Sequence, residues 1–309
     1  MTDTLKGRTA IVTGAGRGIG SGVARLLAAE GAAVVVNDLG VELDGSGGSA
    51  SHADQVVAAI KEAGGNAVAS YLSVAEFENG EALVGHAIDA FGRLDIVVTC
   101  HGILRDRMIF NMSEQEWDDV IGVHLTGTFN VVRHASRRMR EQRSGRIITF
   151  SSTSGLWGNS GQANYGAAKS GIGGLTKVVA RDLGRYGVTC NAIVPMAATR
   201  MTTSVPEQAR DARAAHGISR GQLGATTEVQ FDPEDIAPFV AYLASDFAAS
   251  VNGQFFLVYG KSVSVMSQPR LEKTILKPEG FWSVEELVDL LPRTVAKDLP
   301  NPAPAATGT

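Results

Sequence analysis

Thr9-Ala-Ile-Val-Thr13-Gly14-Ala-Gly-Arg17-Gly18-Ile19-Gly20 is the stretch whose reading decides the fold. Its first five residues form a short β-rich apolar run and read as a buried strand. Four glycines at alternate positions follow at once, and then Val23, Leu26, Leu27 and Ala28 recur at helical spacing. A strand, a glycine loop and a helix in that order make a phosphate cradle. Gly14, Gly18 and Gly20 let the backbone approach a pyrophosphate, while the helix start at Ile19 and Gly20 offers free amides and the positive end of the helix dipole. A Gly-rich turn without a ligand is the plain alternative.

Outward from the loop, residues 33–38 form a second strand that ends in Asp38. Asp38 stands about twenty residues past the loop, where a carboxylate accepts from the adenosine ribose hydroxyls. Its charge repels a 2′-phosphate, which favours NAD over NADP. Arg17 in the loop points the other way, because a guanidinium can meet that phosphate. The plain alternative for Asp38 is a turn residue at a strand end.

Further strand patterns lie at 66–72, 95–100, 145–151, 188–194 and 254–258. Helical patterns lie between them at 53–63, 81–91, 114–141, 163–186 and 233–244. Ser113 with Glu116 and Ser283 with Glu286 have capping-box spacing, and Asp232 precedes a proline at a helix start. This alternation predicts an α/β, doubly wound (Rossmann) fold with a seven-stranded parallel sheet, as a single domain with a C-terminal extension. Residues 1–262 make the domain. Residues 196–231, with Arg200, Arg210, Arg213 and Arg220, read as a substrate lid whose arginines form either a solvated face or anion contacts. Residues 263–309 are the extension, expected to be disordered from about 300. Residues 40–52 read as a flexible Gly/Ser-rich loop. The glycine loop, Asp38, Cys100–Gly102, Ser152 and Pro195 all fall at the carboxyl ends of strands, where ligands of such folds bind.

Ser152, Tyr165 and Lys169 carry candidate chemistry. Tyr165 and Lys169 share a helix face at i and i+4. An ammonium beside a phenol favours the phenolate; moving a tyrosine from a pKa of about 10 to neutrality takes roughly 3 units, or about 4 kcal/mol. A lysine, a cofactor cation and a hydroxyl donor can share that shift, leaving a group that passes a proton to or from an alcohol oxygen.

Composition bounds the rest. The 309 residues are 44% hydrophobic, with 36 glycines and 6% aromatics, which suits one large α/β domain with many tight turns. A net charge of −4 argues against nucleic-acid binding. Cys100 and Cys190 lie in apolar runs and read as two buried thiols, with no disulfide framework and no metal site expected. There is no secretory h-region, no run of 18 apolar residues and no Ser-Lys-Leu ending. The expected placement is cytoplasmic.

Over residues 6–260 the chain resembles the short-chain dehydrogenase/reductase family, on Thr13–Gly20, Ser152, Tyr165 and Lys169. Within it the chain looks like the (3R)-hydroxyacyl-CoA dehydrogenase group, found as a module of peroxisomal multifunctional enzymes and in similar bacterial proteins. The shared stretches are 36–40, 102–107, 161–165 and 200–202. The resemblance implies that Tyr165 is the acid/base, that Lys169 lowers its pKa and holds the nicotinamide ribose, and that Ser152 polarises the substrate carbonyl. It implies NAD contacts at Gly14, Arg17, Gly18, Ile19, Gly20, Asp38, Ser73, Val74, Cys100, His101, Gly102, Tyr165, Lys169, Pro195 and Thr199, with Val194 nearby. Two departures stand out. Thr99-Cys-His-Gly102 replaces the usual Asn-Asn-Ala-Gly, and His124 occupies the place of a fourth catalytic residue, an asparagine. His124 is either part of a proton relay or a packed helix histidine.

The function this implies is NAD-dependent interconversion of a secondary alcohol and a ketone, on a 3-hydroxyacyl-CoA or a hydroxysteroid. The alternatives are an NADPH-dependent 3-oxoacyl carrier-protein reductase and a non-catalytic NAD-sensing binding protein. The small-molecule substrate would be the main partner, with no membrane span. Residues 114–141 and 163–186 carry more apolar positions than one sheet face needs, which, with the family's habit, implies a homodimer or homotetramer.

Overall fold

The computed structural model describes residues 3–42, 44–196 and 232–299. Most of the expected lid, with Thr199 and its four arginines, and the tail from 300 lie outside the described residues. Among the described residues no helix is long and apolar enough to cross a membrane.

Among the described residues seven parallel strands form the sheet: β1 (Thr9–Thr13), β2 (Ala33–Asn37), β3 (Asn66–Ser70), β4 (Ile96–Thr99), β5 (Gly145–Phe150), β6 (Val188–Pro195) and β7 (Phe255–Tyr259). An eighth, β8 (Ser262–Val265), pairs antiparallel with β7, giving the order β3-β2-β1-β4-β5-β6-β7-β8. The expected seven-stranded parallel sheet is corrected to this extent. Gly260, at φ +47, lets the chain reverse, and the alternating Ser-Val-Ser-Val265 then zips onto the β7 edge.

Helices cover both faces. On one side α1 (Gly18–Ala29), α2 (Ser51–Glu62) and α8 (Ala237–Ala244) bury Val23, Leu27, Ile60 and Val240 against Val12, Val34 and Val36. On the other, α3 (Phe77–Phe91), α5 (Gly127–Gln142) and α7 (Ala163–Gly184) bury Leu83, Val131, Met139 and Leu183 against Ile11 and Val35. Alternate residues of one strand thus serve opposite cores, and this is why the strands read as unbroken apolar runs. Burying each such side chain contributes about 1.5–3 kcal/mol. The strand order reverses between β1 and β4, and a crevice at their carboxyl ends is where ligands of such sheets bind.

Two sequence expectations change shape. The helix expected over 114–141 is α4 (Glu114–Ile121), a π-helical stretch Gly122–Thr126, and then α5. Tertiary demands on His124 override the helical repeat there, a form common at functional sites. The loop after β2 is closed on itself rather than merely flexible. A Cβ on Gly40 would overlap the Ser49 carbonyl, and Glu42 N donates to Ser46 O at 2.8 Å. The three predicted helix caps at Ser113, Asp232 and Ser283 all form.

Chain contacts divide the described residues into 3–196 with 232–266, and 267–299. In the second unit α9 (Val284–Leu290) carries the Ser283/Glu286 capping box, and Lys277 Nζ pairs with Glu286 at 2.6 Å.

Candidate active site

At the end of β1, Gly14 takes φ +64, and a Cβ there would lie 2.6 Å from His101 Cα. Only glycine lets the loop pass so close to the end of β4. The first turn of α1 has no side-chain cap at Arg17 and no acidic residue. A Cβ on Gly18 would meet nothing within 4 Å. Open space before uncapped amides fits an anion such as a dinucleotide pyrophosphate. Asp38 Oδ2 accepts from Gly16 N, and Oδ1 accepts from Gly40 N, each at 2.7 Å. Each carboxylate oxygen keeps a lone pair for a ribose hydroxyl. Arg17 turns toward the loop after β2, where its Nη2 donates to Val41 O at 2.7 Å.

Cys100, His101 and Gly102 leave β4. His101 Nδ1 lies 2.6 Å from Thr13 Oγ1 and its Nε2 lies 3.4 Å from Thr128 Oγ1. The ring is buried, and burial, reinforced by the Lys169 charge, pushes its pKa down to about 3. His101 is therefore a neutral brace between the end of β1 and α5. Cys100 is half-buried, not fully buried as the apolar run suggests, whereas Cys190 is buried. Burial pushes both thiols up, Cys190 to about 12, so neither is a ready nucleophile.

His124, in the π-helical stretch, puts Nε2 3.1 Å from Ile103 N and 2.8 Å from Ile103 O. A neutral ring satisfies one of these in each tautomer. Burial first, then the Lys169 charge, holds His124 well below its ordinary value of 6.5. Its Nδ1 is buried with no hydrogen-bond partner among the described residues. A Cβ on Gly102 would overlap the ring, and the ring stands edge-on to Tyr165 at 5.1 Å between centroids.

Ser152 caps α6 (Thr153–Trp157), accepting from Ser154 N at 3.1 Å, and its hydroxyl acts on the Tyr165 phenol in the direction that favours the phenolate. Lys169 Nζ donates to Phe150 O at 2.7 Å and lies 5.6 Å from the centre of the Tyr165 ring. Ser151 Oγ donates to Lys169 O at 2.8 Å, so α7 is fastened to the end of β5 at two points. Burial pushes Lys169 down to about 8 and Tyr165 up to about 12; the Ser152 bond favours the phenolate and the Asp106 charge opposes it. The acidic phenol expected from a lysine, a cofactor cation and a hydroxyl donor acting together is not reached by the protein groups alone. In the protein alone desolvation outweighs every favourable partner.

Ser152, Tyr165, Lys169, His124, Cys100, His101 and Gly102 thus gather at the carboxyl ends of β4 and β5, beside the glycine loop. Val194 is buried in β6 and Pro195 closes it. Val74 O accepts from Asn130 Nδ2 at 2.8 Å, and Ser73 O from Asn79 Nδ2 at 3.0 Å. Both main chains are committed to neighbouring helices, which holds the turn after β3 beside the first turn of α5.

Several residues of this site escape sequence reasoning. Asn164 is fully buried; its Nδ2 donates to Arg105 O at 3.0 Å and Glu116 O at 2.8 Å, and its Oδ1 accepts from Tyr165 N at 2.8 Å. Gln162 Nε2 donates to Asp106 Oδ2 at 2.9 Å, while its Oε1 accepts from Ser154 Oγ and Asn159 Nδ2, each at 2.8 Å. A Cβ on Gly16 would lie 2.8 Å from both Asp38 and His52 Cβ, and His52 Nδ1 is buried without a partner among the described residues. Only the short run Gly161–Tyr165 hints at the first two, because their partners come from distant segments.

The family model described as enoyl-(acyl carrier protein) reductase matches residues 14–260. The hydroxyacyl-CoA dehydrogenase ChsB1 of Mycobacterium tuberculosis is 42% identical over 298 residues, covering 94% of this chain and 89% of that protein. The chain belongs to the short-chain dehydrogenase/reductase family. As members of that family its relatives are oxidoreductases, and this chain is an enzyme acting on a CH–OH group. The peroxisomal multifunctional enzyme type 2 of Mus musculus is 44% identical over 250 residues, covering 81% of this dehydrogenase but 31% of that longer protein. The crystal structure of a short chain dehydrogenase from Mycobacterium avium superposes with a TM-score of 0.81 at 41% identity, covering 98% of this chain and all of the other.

Proposed function

We propose that the chain is an NAD-dependent dehydrogenase that interconverts the 3-hydroxy and 3-keto forms of an acyl thioester carried on CoA. One observation carries the chemistry. The Ser152 hydroxyl reaches the Tyr165 phenol, and Lys169 is clamped by Phe150 O beneath the same ring. Tyr165 takes the proton from the carbinol oxygen in oxidation and returns it in reduction. Ser152 donates a hydrogen bond to that oxygen and orients it. Lys169, drawn down toward 8 by burial, keeps its charge at neutral pH and favours the phenolate. When bound, the nicotinamide supplies the hydride exchange and, in its oxidised form, a positive charge. His124 and Asn164 position Tyr165 from either side. His124, held neutral, works by packing and by its bond to Ile103; its unpartnered Nδ1 is where a water relay would attach.

Asp38, held at the end of β2 by Gly16 N at 2.7 Å, supports NAD, because its charge would repel a 2′-phosphate. The likeness to a relative named for hydroxyacyl-CoA supports the substrate class. Residues 196–231 are proposed as the lid over it. Trp117, Phe129 and Val178, about two-fifths to half exposed on α4, α5 and α7, support self-association through these helices.

The reading is tested with a 3-hydroxyacyl-CoA, the same acid without CoA, and NAD. Wild type should oxidise the thioester with the higher kcat/KM. Tyr165→Phe should lose at least about 10³-fold in kcat while still binding NADH. Full turnover by Tyr165→Phe would reject the acid/base assignment, and equal kinetics on both substrates would reject CoA.

A further inference from the structure

The closed loop after β2 carries two contacts that the reaction does not use. Val41 O accepts from Arg17 Nη2 at 2.7 Å, and Glu42 Oε1 stands 3.7 Å from Arg17 Nη1. Arg17 is the basic residue of the glycine run. It follows Gly16, whose amide touches Asp38 Oδ2. Arg17 and Asp38 therefore border one corner, and the charged or titratable groups there come from four elements. These are Arg17 from the glycine loop, Asp38 from the end of β2, Glu42 from the closed loop and His52 from α2. Two other guanidinium groups stand nearby: Arg25 lies 3.9 Å from Glu234, and Arg105, whose Nη2 would lie 4.0 Å from a Cβ on Gly45, pairs through Nε with Asp119 at 3.0 Å.

The loop can hold this contact because it is braced. Gly45 N donates to Glu42 O at 3.0 Å, and a Cβ on Gly45 would lie 3.3 Å from Ile103 Cδ1. The turn bearing Glu42 is thus supported at its tip by the segment that His124 grips.

A 2′-phosphate is bound best by a guanidinium free to meet it with two parallel bonds. Here that guanidinium is engaged by a carbonyl and a carboxylate. A phosphate would have to displace both and would face the charge of Glu42 as well as that of Asp38. We propose that Val41 and Glu42 make the loop from Gly40 to Ser49 a cofactor-selectivity element, withholding Arg17 from a 2′-phosphate and biasing the site toward NAD. The inference rests on the NAD-dependent reading above and adds a second carboxylate to Asp38.

Equilibrium binding of NADH and NADPH, read by nicotinamide fluorescence, tests it on the full chain with Glu42→Ala, Arg17→Ala and the double variant. Glu42→Ala should tighten NADPH about fivefold, as expected for an exposed charge contact, and leave NADH unchanged. Adding Arg17→Ala should remove that gain. An unchanged NADPH affinity in Glu42→Ala would overturn the inference. So would an equal gain for both nucleotides, which marks a general charge effect, or a gain that survives Arg17→Ala. The NAD reading is judged separately on wild type: tighter binding of NADPH than of NADH sinks it, whatever Glu42→Ala does to the ratio.

Discussion

His101 shows how one buried residue links chemistry to stability. Its folded pKa, near 3, is far below the ordinary 6.5 because the ring is desolvated and faces Lys169. Above about pH 6.5 the ring is neutral in folded and unfolded chains, and it leaves stability unchanged. Below that, the unfolded ring takes a proton that the folded ring refuses, so stability falls from about pH 6.5 down to about 3. Over 1.5 pH units this amounts to about 2 kcal/mol. His101→Gln should therefore flatten the loss of stability between pH 6.5 and 5, measured by urea unfolding. A slope matching wild type would show that the imidazole is not held neutral. The motif Thr99–Gly102 revealed that a ring replaces a small side chain, but not that the ring stays uncharged. That depends on Thr13, Thr128 and Lys169 closing around it.

At the scale of elements, α7 works because both its ends of chemistry are pinned. Ser151 and Phe150 fasten Lys169 to β5, and Asn164 fastens the first turn to the loop after β4 and to α4. Asn164→Ala would take a partner from the half-buried carbonyls of Arg105 and Glu116 and from the amide of Tyr165. The cost should be about 2–3 kcal/mol, seen as a lower urea midpoint with the slope unchanged. Turnover should fall at least about tenfold, because the phenol loses its register. An unchanged kcat would mean that α7 is placed by its apolar face alone. The helical period over 163–186 and the i, i+4 pair were legible in the sequence. The pins were not, since Asn164 reaches 59 and 48 residues back along the chain. The π-helical stretch at Gly122–Thr126 was hidden for the same reason: its period departs from 3.6 only because His124 must reach Ile103.

Across the whole molecule, the two ends of the sheet do different work. At the amino ends of the strands, buried Arg146 donates to Ser245 O at 3.1 Å and Gly187 O at 3.3 Å and pairs with Asp246, which also pairs with Arg8 at 2.6 Å. The reacting groups lie at the other end of β5, roughly 20 Å away at 3.3 Å per residue. Arg146→Ala should cost about 2–3 kcal/mol in urea unfolding yet leave kcat/KM unchanged at a temperature where the variant is folded. A loss of activity in the folded variant would show the two ends to be coupled. Self-association belongs to the same scale. Light scattering should give at least twice the chain mass, and Phe129→Glu should reduce it; a monomeric wild type would discard the oligomer.

From the sequence alone came the alternation of strands and helices, the strand–glycine loop–helix unit and the tyrosine–lysine pair. These are written in torsional preference and in periods of 2 and 3.6, which neighbouring residues settle among themselves. Tertiary structure decided that β8 turns back as an antiparallel edge, that Arg17 is drawn to Val41, and that burial holds Tyr165 at about 12. Each of these depends on desolvation or on partners that only folding brings together, and no local pattern records it.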